Sequence, residues 1–482
     1  QRRNPNMDKQ LYEQADRWVD AHRDAIVEDI KRLVRFPSVS EPNAEVGPYG
    51  QACRDALEAF LEIGREHGFE GHNYDYHCGA IWLAEQAGAV EKSIGLWGHL
   101  DVVPVGDGWD FPPFDPVEKD GFLIGRGSQD NKGPLVAAMY AALFLRDMGV
   151  TLRHPLRIYG GCNEERGMAD LIYYRENYPC PALSIIPDSS FPVCYAEKGT
   201  LTGNLVSDAP AGESVVSLTG GVFSNMVPDT AVLVLRHTEQ LAKRRDRLPH
   251  WLEAVDEGDT LRITARGSSR HTAFPAGGEN AIAALTRGVL AAGILEEADE
   301  DAFFFLSRAN LGFAGRGLGI VCRDDISGPL TCVGSMVSLD AERRYSLHLN
   351  IRYPVTAESG ALLGAMEKAC GDRGFHMEGF RDSKPNHFPR EHPVVDTLTE
   401  VFREVTGSDK EPFTMGGGTY SRKLPNALAF GMGMPTGKAD YSVFPAGHGG
   451  GHSPDEALFI DDLLDALKIY CVALPEVDKL DF

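Results

Sequence analysis

Apolar residues recur at helical spacing from about Asp8 to Val34, with Trp18, Val19, His22, Ile26, Ile30 and Leu33 on one face. The spacing predicts a long amphipathic helix, followed by a second over roughly Gly50–Gly68. Short apolar runs then alternate with helical stretches. Strands are predicted at Ala80–Ala84, Ser93–Trp97, Leu156–Tyr159 and Leu183–Ile186, and helices at Lys132–Met148 and Ala169–Asn177. This β-α-β alternation predicts an α/β fold, with a mostly parallel sheet and helices on both faces. In such sheets ligands bind beyond the carboxyl ends of the strands.

The pattern changes after Lys198. Thr200–Val206, Ala231–Arg236, Leu261–Ala265, Gly334–Leu339 and Tyr345–Tyr353 have strand character. Glu279–Ala292, Ala302–Leu311 and Ala357–Cys370 have helical character. This mixture predicts an inserted α+β domain. No sequence repeat supports two similar halves within it. Helices at Val394–Val405 and Asp455–Val472, with a glycine-rich segment between them, then resume the first style. The expected organisation is a catalytic domain in two parts, residues 1–198 and 391–482, around an inserted lid domain, residues 199–390.

Length alone, 482 residues, calls for more than one domain. Hydrophobic residues at 43% and charged residues at 24% are ordinary for a globular enzyme. The net charge of -23 argues against a nucleic-acid partner. No apolar run approaches the ~20 residues of a membrane span. Nine scattered cysteines, without a Cys-x-x-Cys, fit a reducing compartment better than a disulfide framework, so a cytoplasmic location is expected. Gln1–Met7 has no apolar signal core, and Met7 reads as a start.

The candidate chemistry sits mostly at predicted element ends. His99-Leu100-Asp101 follows the strand ending at Trp97; Asp101 either stands behind His99 or marks a strand-end turn. Asp130, in Arg126-Gly127-Ser128-Gln129-Asp130-Asn131-Lys132-Gly133, is either a helix cap or a carboxylate able to bridge two cations. Glu164-Glu165 is the sharpest signal. Adjacent carboxylates repel, so the pair needs a nearby cation or full solvation, and one can bind metal while the other takes a proton from water. Asp188 ends a buried strand as cap or ligand, and His452 lies among glycines with His448 as a competitor. Jointly these residues provide enough donors for a two-metal hydrolase with its own general base.

This ordered set resembles the aminoacylase/carboxypeptidase clan of dinuclear-zinc metallopeptidases, and in detail the PepV-type bacterial dipeptidases. The specific marks are His99-Leu100-Asp101-Val102-Val103-Pro104, Gly106-Asp107-Gly108-Trp109, Pro112-Pro113-Phe114, the Asp130 block, Asn163-Glu164-Glu165 and Met415-Gly416-Gly417-Gly418-Thr419-Tyr420. The resemblance implies a dipeptidase that cleaves by attack of a metal-bridging water, with two divalent ions, zinc or manganese. His99 and Asp188 would bind one ion, Glu165 and His452 the other, and Asp130 both. Asp101 would orient His99, and Glu164 would be the general base. The Asp130–Asn131 peptide would be cis. Asn131 stands where relatives often carry a second Asp, and Asn163 where they often carry Asp or Thr; neither is an expected ligand.

From the inserted domain, His271 would polarise the scissile carbonyl and stabilise the oxyanion. Asn225 would contact substrate, and Arg352 would grip its carboxylate with help from the backbone amides of Gly416, Gly417, Gly418 and Thr419. Since the insertion would bring its own histidine, a monomer is expected, with a small peptide as substrate and no membrane or nucleic-acid partner. The same centre would equally serve an N-acyl amino acid deacylase or another small-peptide exopeptidase. An inactive binding protein is disfavoured by the full ligand set. A serine hydrolase is disfavoured by the lack of a Gly-x-Ser-x-Gly elbow.

Overall fold

A computed structural model describes residues 8–42, 44–435 and 437–482. The start expected at Met7 therefore lies outside the described residues. The chain forms two compact units. The first comprises residues 1–195, 386–413 and 419–482, and the second residues 196–385 and 414–418.

The first unit is built on a nine-stranded mixed sheet. It is parallel through Leu156–Gly161, Ile94–His99, Leu183–Ile186 and Ala427–Phe430, where the chain crosses over between strands. It is antiparallel at both margins, where Phe69–Tyr74 and Cys78–Leu83 form a hairpin and Val193–Glu197 returns beside Ala427–Phe430. Two adjacent glycines show that helices cover both faces. A Cβ at Gly160 would meet Phe60 and Leu135, from helices Gln51–Glu66 and Gly133–Asp147. A Cβ at Gly161 would meet Asp170, from helix Ala169–Asn177, and Tyr420. Successive strand residues point to opposite faces, so these contacts lie on the two sides of one sheet.

The first helix runs Lys9–Val34, with the Asp8 side chain accepting the Leu11 N–H at 3.0 Å. Its apolar face, including Val19, Ile26, Ile30 and Leu33, is buried in the same core as the C-terminal helix Ile460–Asp478. That last helix starts later than the spacing predicts. Asp455 has a left-handed φ of 53°, Asp455 and Glu456 are wholly buried, and Ala457–Phe459 is a strand paired with Phe122–Ile124. Tertiary hydrogen bonds to the two acids override their helix-start character. No helix among the described residues is long and apolar enough to cross a membrane.

The second unit carries an eight-stranded sheet, antiparallel throughout. Four strands on each side meet through Thr219–Ser338 and Gly220–Val337. Helices Ala281–Ala292, Glu297–Ala309 and Ser359–Gly371 share its core. Strands Val215–Gly220, Leu252–Asp256 and Phe375–Ser383 were not predicted; much of the last is half-exposed or exposed, so it lacks apolar alternation.

One buried polar cluster ties the first helix to its neighbours. Asp29 Oδ2 accepts from the Tyr140 hydroxyl at 2.8 Å and lies 2.7 Å from His67 Nε2, while Arg32 donates to Oδ1 at 3.2 Å. Burial alone would raise the Asp29 carboxyl, but these partners hold it below its ordinary value. A depressed folded-state pKa means stability that is present above the unfolded value of about 4 and lost as pH falls through the folded one. Asp29→Asn is expected to cost about 2 kcal/mol near neutral pH, the scale of hydrogen bonds to a charged group. Urea unfolding should show the gap between the two proteins closing below about pH 4. A gap that persists unchanged at lower pH would show that the charge is not the source.

Candidate metal centre

The centre is assembled within the first unit. His99 is the last residue of the buried strand Ile94–His99, and Asp188 follows the parallel strand Leu183–Ile186. Glu164 and Glu165 follow Leu156–Gly161 on the other side of the His99 strand. Three neighbouring parallel strands thus deliver their following residues to one end of the sheet. Asp130 comes from the irregular turn before helix Gly133–Asp147, and its peptide to Asn131 is cis. His452 stands in a loop at φ 64°, in the left-handed region.

Two groups of three ligand atoms result, each within 4.8 Å of one another: His99, Asp130 and Asp188, and Asp130, Glu165 and His452. Asp130 belongs to both. Its Oδ1 lies 3.0 Å from His99 Nε2 and its Oδ2 3.1 Å from His452 Nε2. Asp188 Oδ2 is 3.7 Å from His99 Nε2, and Glu165 Oε1 is 2.9 Å from His452 Nε2. His448 belongs instead to a third, separate group of three with Asp110 and Asp455, its Nδ1 2.6 Å from Asp455 Oδ2.

Asp101 meets the His99 ring most closely through its backbone carbonyl. His99 Nδ1 is 2.8 Å from the Asp101 backbone carbonyl, and the nearer carboxylate oxygen is 3.6 Å away. With Nδ1–H donated to that carbonyl, Nε2 faces the acids. The buried Asp101 carboxylate instead accepts the backbone N–H groups of Glu164 and Glu165, each at 3.0 Å. It therefore fixes the loop that presents both glutamates. Spacing alone placed Asp101 near His99, but did not reveal which of its atoms would be used.

Asn131 and Asp170 were also missed as organisers. Asn131 Oδ1 accepts the His99 N–H at 3.3 Å, and its Nδ2 donates to Asp188 Oδ1 at 3.2 Å and to the Pro187 carbonyl at 2.8 Å. It thus spans the two strand ends. Gly98 makes this approach feasible: a Cβ there would stand 2.5 Å from Asn131 Oδ1. Asp170 Oδ2 accepts the N–H groups of Cys162 and Asn163, at 2.8 and 2.9 Å, and the Tyr420 hydroxyl. Asn163 serves the same loop by accepting the Ala169 N–H at 3.0 Å and donating to Ser40 Oγ at 2.6 Å.

The electrostatics show what the donors can hold. Hydrogen bonds donated to the Asp130 and Glu165 carboxylates push the His452 pKa up to about 11. Burial disfavours a charged His99, yet Asp130, Asp188 and Asp101 push its pKa well above the ordinary value. Burial pushes the Asp101 carboxyl up to about 7 against the pull of His99. Burial also raises Glu164, which His99 opposes and the charges of Asp188, Glu165 and Asp101 reinforce. This concentration of acids calls for positive charge beside both imidazoles. Oxygen and imidazole donors in two groups of three suit divalent zinc, manganese or cobalt.

The remaining predicted residues divide between the two units. Asn225, His271, Arg352 and Gly416–Gly418 belong to the second unit, and Thr419 to the first. Within the second unit the Asn225 carbonyl accepts the Thr272 N–H at 2.9 Å, and Met226 and His271 form a β-bridge. His271 Nδ1 accepts the Ala273 N–H at 3.2 Å, which leaves Nε2 as the protonated nitrogen of a neutral ring. Arg352 donates to Asn350 Oδ1 and Thr200 Oγ1, both at 3.0 Å, and to the Gly416 carbonyl at 3.3 Å. Asn350 is a hub the sequence did not suggest. It also accepts from Thr272 Oγ1 at 3.0 Å and donates to the Ser224 carbonyl at 3.1 Å. Thr419 Oγ1 accepts the Ser421 N–H at 3.2 Å.

Comparison with known proteins agrees with this architecture. The chain is similar to "Putative dipeptidase YtjP" of Bacillus subtilis (strain 168), with 33% identity over 95% of this chain and 98% of the relative. It is 29% identical to the "Beta-Ala-Xaa dipeptidase" of Lactobacillus delbrueckii subsp. lactis, over 95% and 97% of the two chains. Among solved structures, the di-peptidase Dug1p of Saccharomyces cerevisiae shares the fold at TM-score 0.59 and 14% identity, over 98% of this chain and 99% of that one. The description "Peptidase family M20/M25/M40" matches residues 95–476. The chain belongs to this peptidase family and is a metal-dependent hydrolase.

Proposed function

We propose that the protein is a metal-dependent dipeptidase whose centre holds two divalent cations, zinc or manganese. The observation that carries this reading is Asp130, one carboxylate shared by two groups of three ligand atoms. His99 and Asp188 complete one group, and Glu165 and His452 the other. The dipeptidase names of the relatives support the substrate class. Bound cations would polarise the scissile carbonyl and acidify the attacking water.

Glu164 belongs to neither group, although its backbone is clamped to Asp101 beside Glu165. It is the proposed general base, taking the proton of the attacking water and returning it to the leaving amine. A carboxyl raised by burial is suited to both transfers. His271, with its proton on Nε2, is the proposed donor to the oxyanion. Arg352, aligned by Asn350 and Thr200, would pair with the substrate carboxylate. Asn225 and the amides of Gly416–Thr419 would complete the substrate contacts. We read the chain as a monomer of the cytoplasm, where its nine free cysteines remain reduced.

Metal-stripped protein, resupplied separately with zinc and manganese, is expected to cleave dipeptides and to leave N-acyl amino acids intact. Cleavage of acyl amino acids instead would replace the substrate class and keep the centre. Glu164→Gln should lower kcat by about 10²–10⁴-fold, with metal content unchanged by elemental analysis. Retained turnover would remove Glu164 from its role. Arg352→Lys should raise KM for dipeptides about tenfold or more, because an ammonium cannot replace the bidentate fork. An unchanged KM would place the carboxylate contact elsewhere.

A further inference from the structure

Two acids follow His452 in the same segment, and both are wholly buried. Asp455 Oδ1 accepts the N–H groups of Asp110 and Phe111, at 2.9 and 3.0 Å. Glu456 does something more pointed. Its Oε1 accepts the N–H groups of Gly127, Gln129 and Asp130, at 3.0, 3.1 and 3.0 Å. Its Oε2 accepts Nη1 of Arg126 at 2.7 Å, with both side chains 1% exposed. Arg126 also donates to the Val105 carbonyl at 3.2 Å and lies 5.1 Å over the Trp109 ring.

The turn from 127 to 130 is therefore wrapped around a carboxylate from the far end of the chain. Gly127, at φ 85°, permits the backbone reversal that lets these amides converge. The last amide belongs to Asp130 itself. A buried charge pair is costly unless its partners are in place; here both Glu456 oxygens are met by N–H donors, while Arg126 Nε has no partner among the described residues. A clamp serving stability alone has no need to end on the shared ligand, or to come from the loop that carries His452.

We propose that Glu456 is a positioning residue for the metal centre: it fixes the backbone of Asp130 and ties it to the His452 segment, so setting the separation of the two ligand groups. This rests on the two-cation reading above. The chain departs from helix at Asp455 and Glu456 because both acids are engaged in this way. Outer-shell partners of metal ligands commonly alter affinity and turnover by about 10–100-fold when changed.

The test uses Glu456→Gln and Glu456→Asp in the full chain. Gln keeps the volume but sets an amide N–H₂ against the Arg126 guanidinium or the backbone amides. Asp keeps the charge but is one methylene short. Cobalt titration followed by visible absorption should show two ions in the native protein. In Glu456→Gln, binding is expected to weaken about 10–100-fold with an altered spectrum, and kcat to fall by a similar factor while KM stays within about twofold. Glu456→Asp should lie between, and it carries the test if Glu456→Gln does not fold. In metal-stripped protein, the amides of Gly127, Gln129 and Asp130 should exchange faster in both variants, with those of Asp110 and Phe111 unaltered. Native cobalt binding, spectrum and kcat in both variants would overturn the proposal, even if melting temperature drops. A native protein that binds two cobalt ions but leaves dipeptides uncut would end the dipeptidase reading and leave Glu456 to be judged by the titration. A native protein that binds fewer than two ions would overturn both.

Discussion

The structure depends on one electrostatic constraint, the crowding of Asp101, Asp130, Glu164, Glu165 and Asp188 around two imidazoles. Burial raises Asp101 and Glu164, while the histidines hold Asp130 well below its ordinary value. Carboxylates do not gather this way without compensating charge. Divalent cations beside His99 and His452 would meet that need, and Asp130, shared by the two groups, would place them as a pair.

The remainder of the first unit holds the acids in place against their mutual repulsion. The means is repeated three times with different chain segments. Asp101 binds the amides of Glu164 and Glu165, Asp170 binds those of Cys162 and Asn163, and Glu456 binds those of Gly127, Gln129 and Asp130. In each case a buried carboxylate satisfies backbone donors that a loop would otherwise leave unpaired. The loops thereby gain the rigidity of the sheet from which they emerge. Asn131 does the equivalent work between the ends of two adjacent parallel strands.

The candidate site residues were legible in the sequence because they follow apolar runs. His99, Glu164 and Asp188 each stand at or just beyond a strand that the hydrophobic pattern identifies. Their supports were less visible, since the partners are backbone amides and carbonyls, which no residue name reveals. Asp101 shows the limit. Its position beside His99 was readable, but its backbone carbonyl serves His99 while its carboxylate serves the glutamate loop. Glu456 looked like part of a helix start because acids favour that position. The buried strand that follows it, Ala457–Phe459, was the available clue. Polar margin strands such as Phe69–Tyr74 escaped for the opposite reason: Glu70, Gly71 and His72 are exposed in succession, so the strand carries too little alternation.

The most direct measurement is anomalous diffraction from crystals loaded with zinc or manganese. Two peaks are predicted, each against one oxygen of Asp130, one beside His99 and Asp188 and the other beside Glu165 and His452. A single peak, or two peaks of which either does not touch Asp130, would contradict the shared-carboxylate centre.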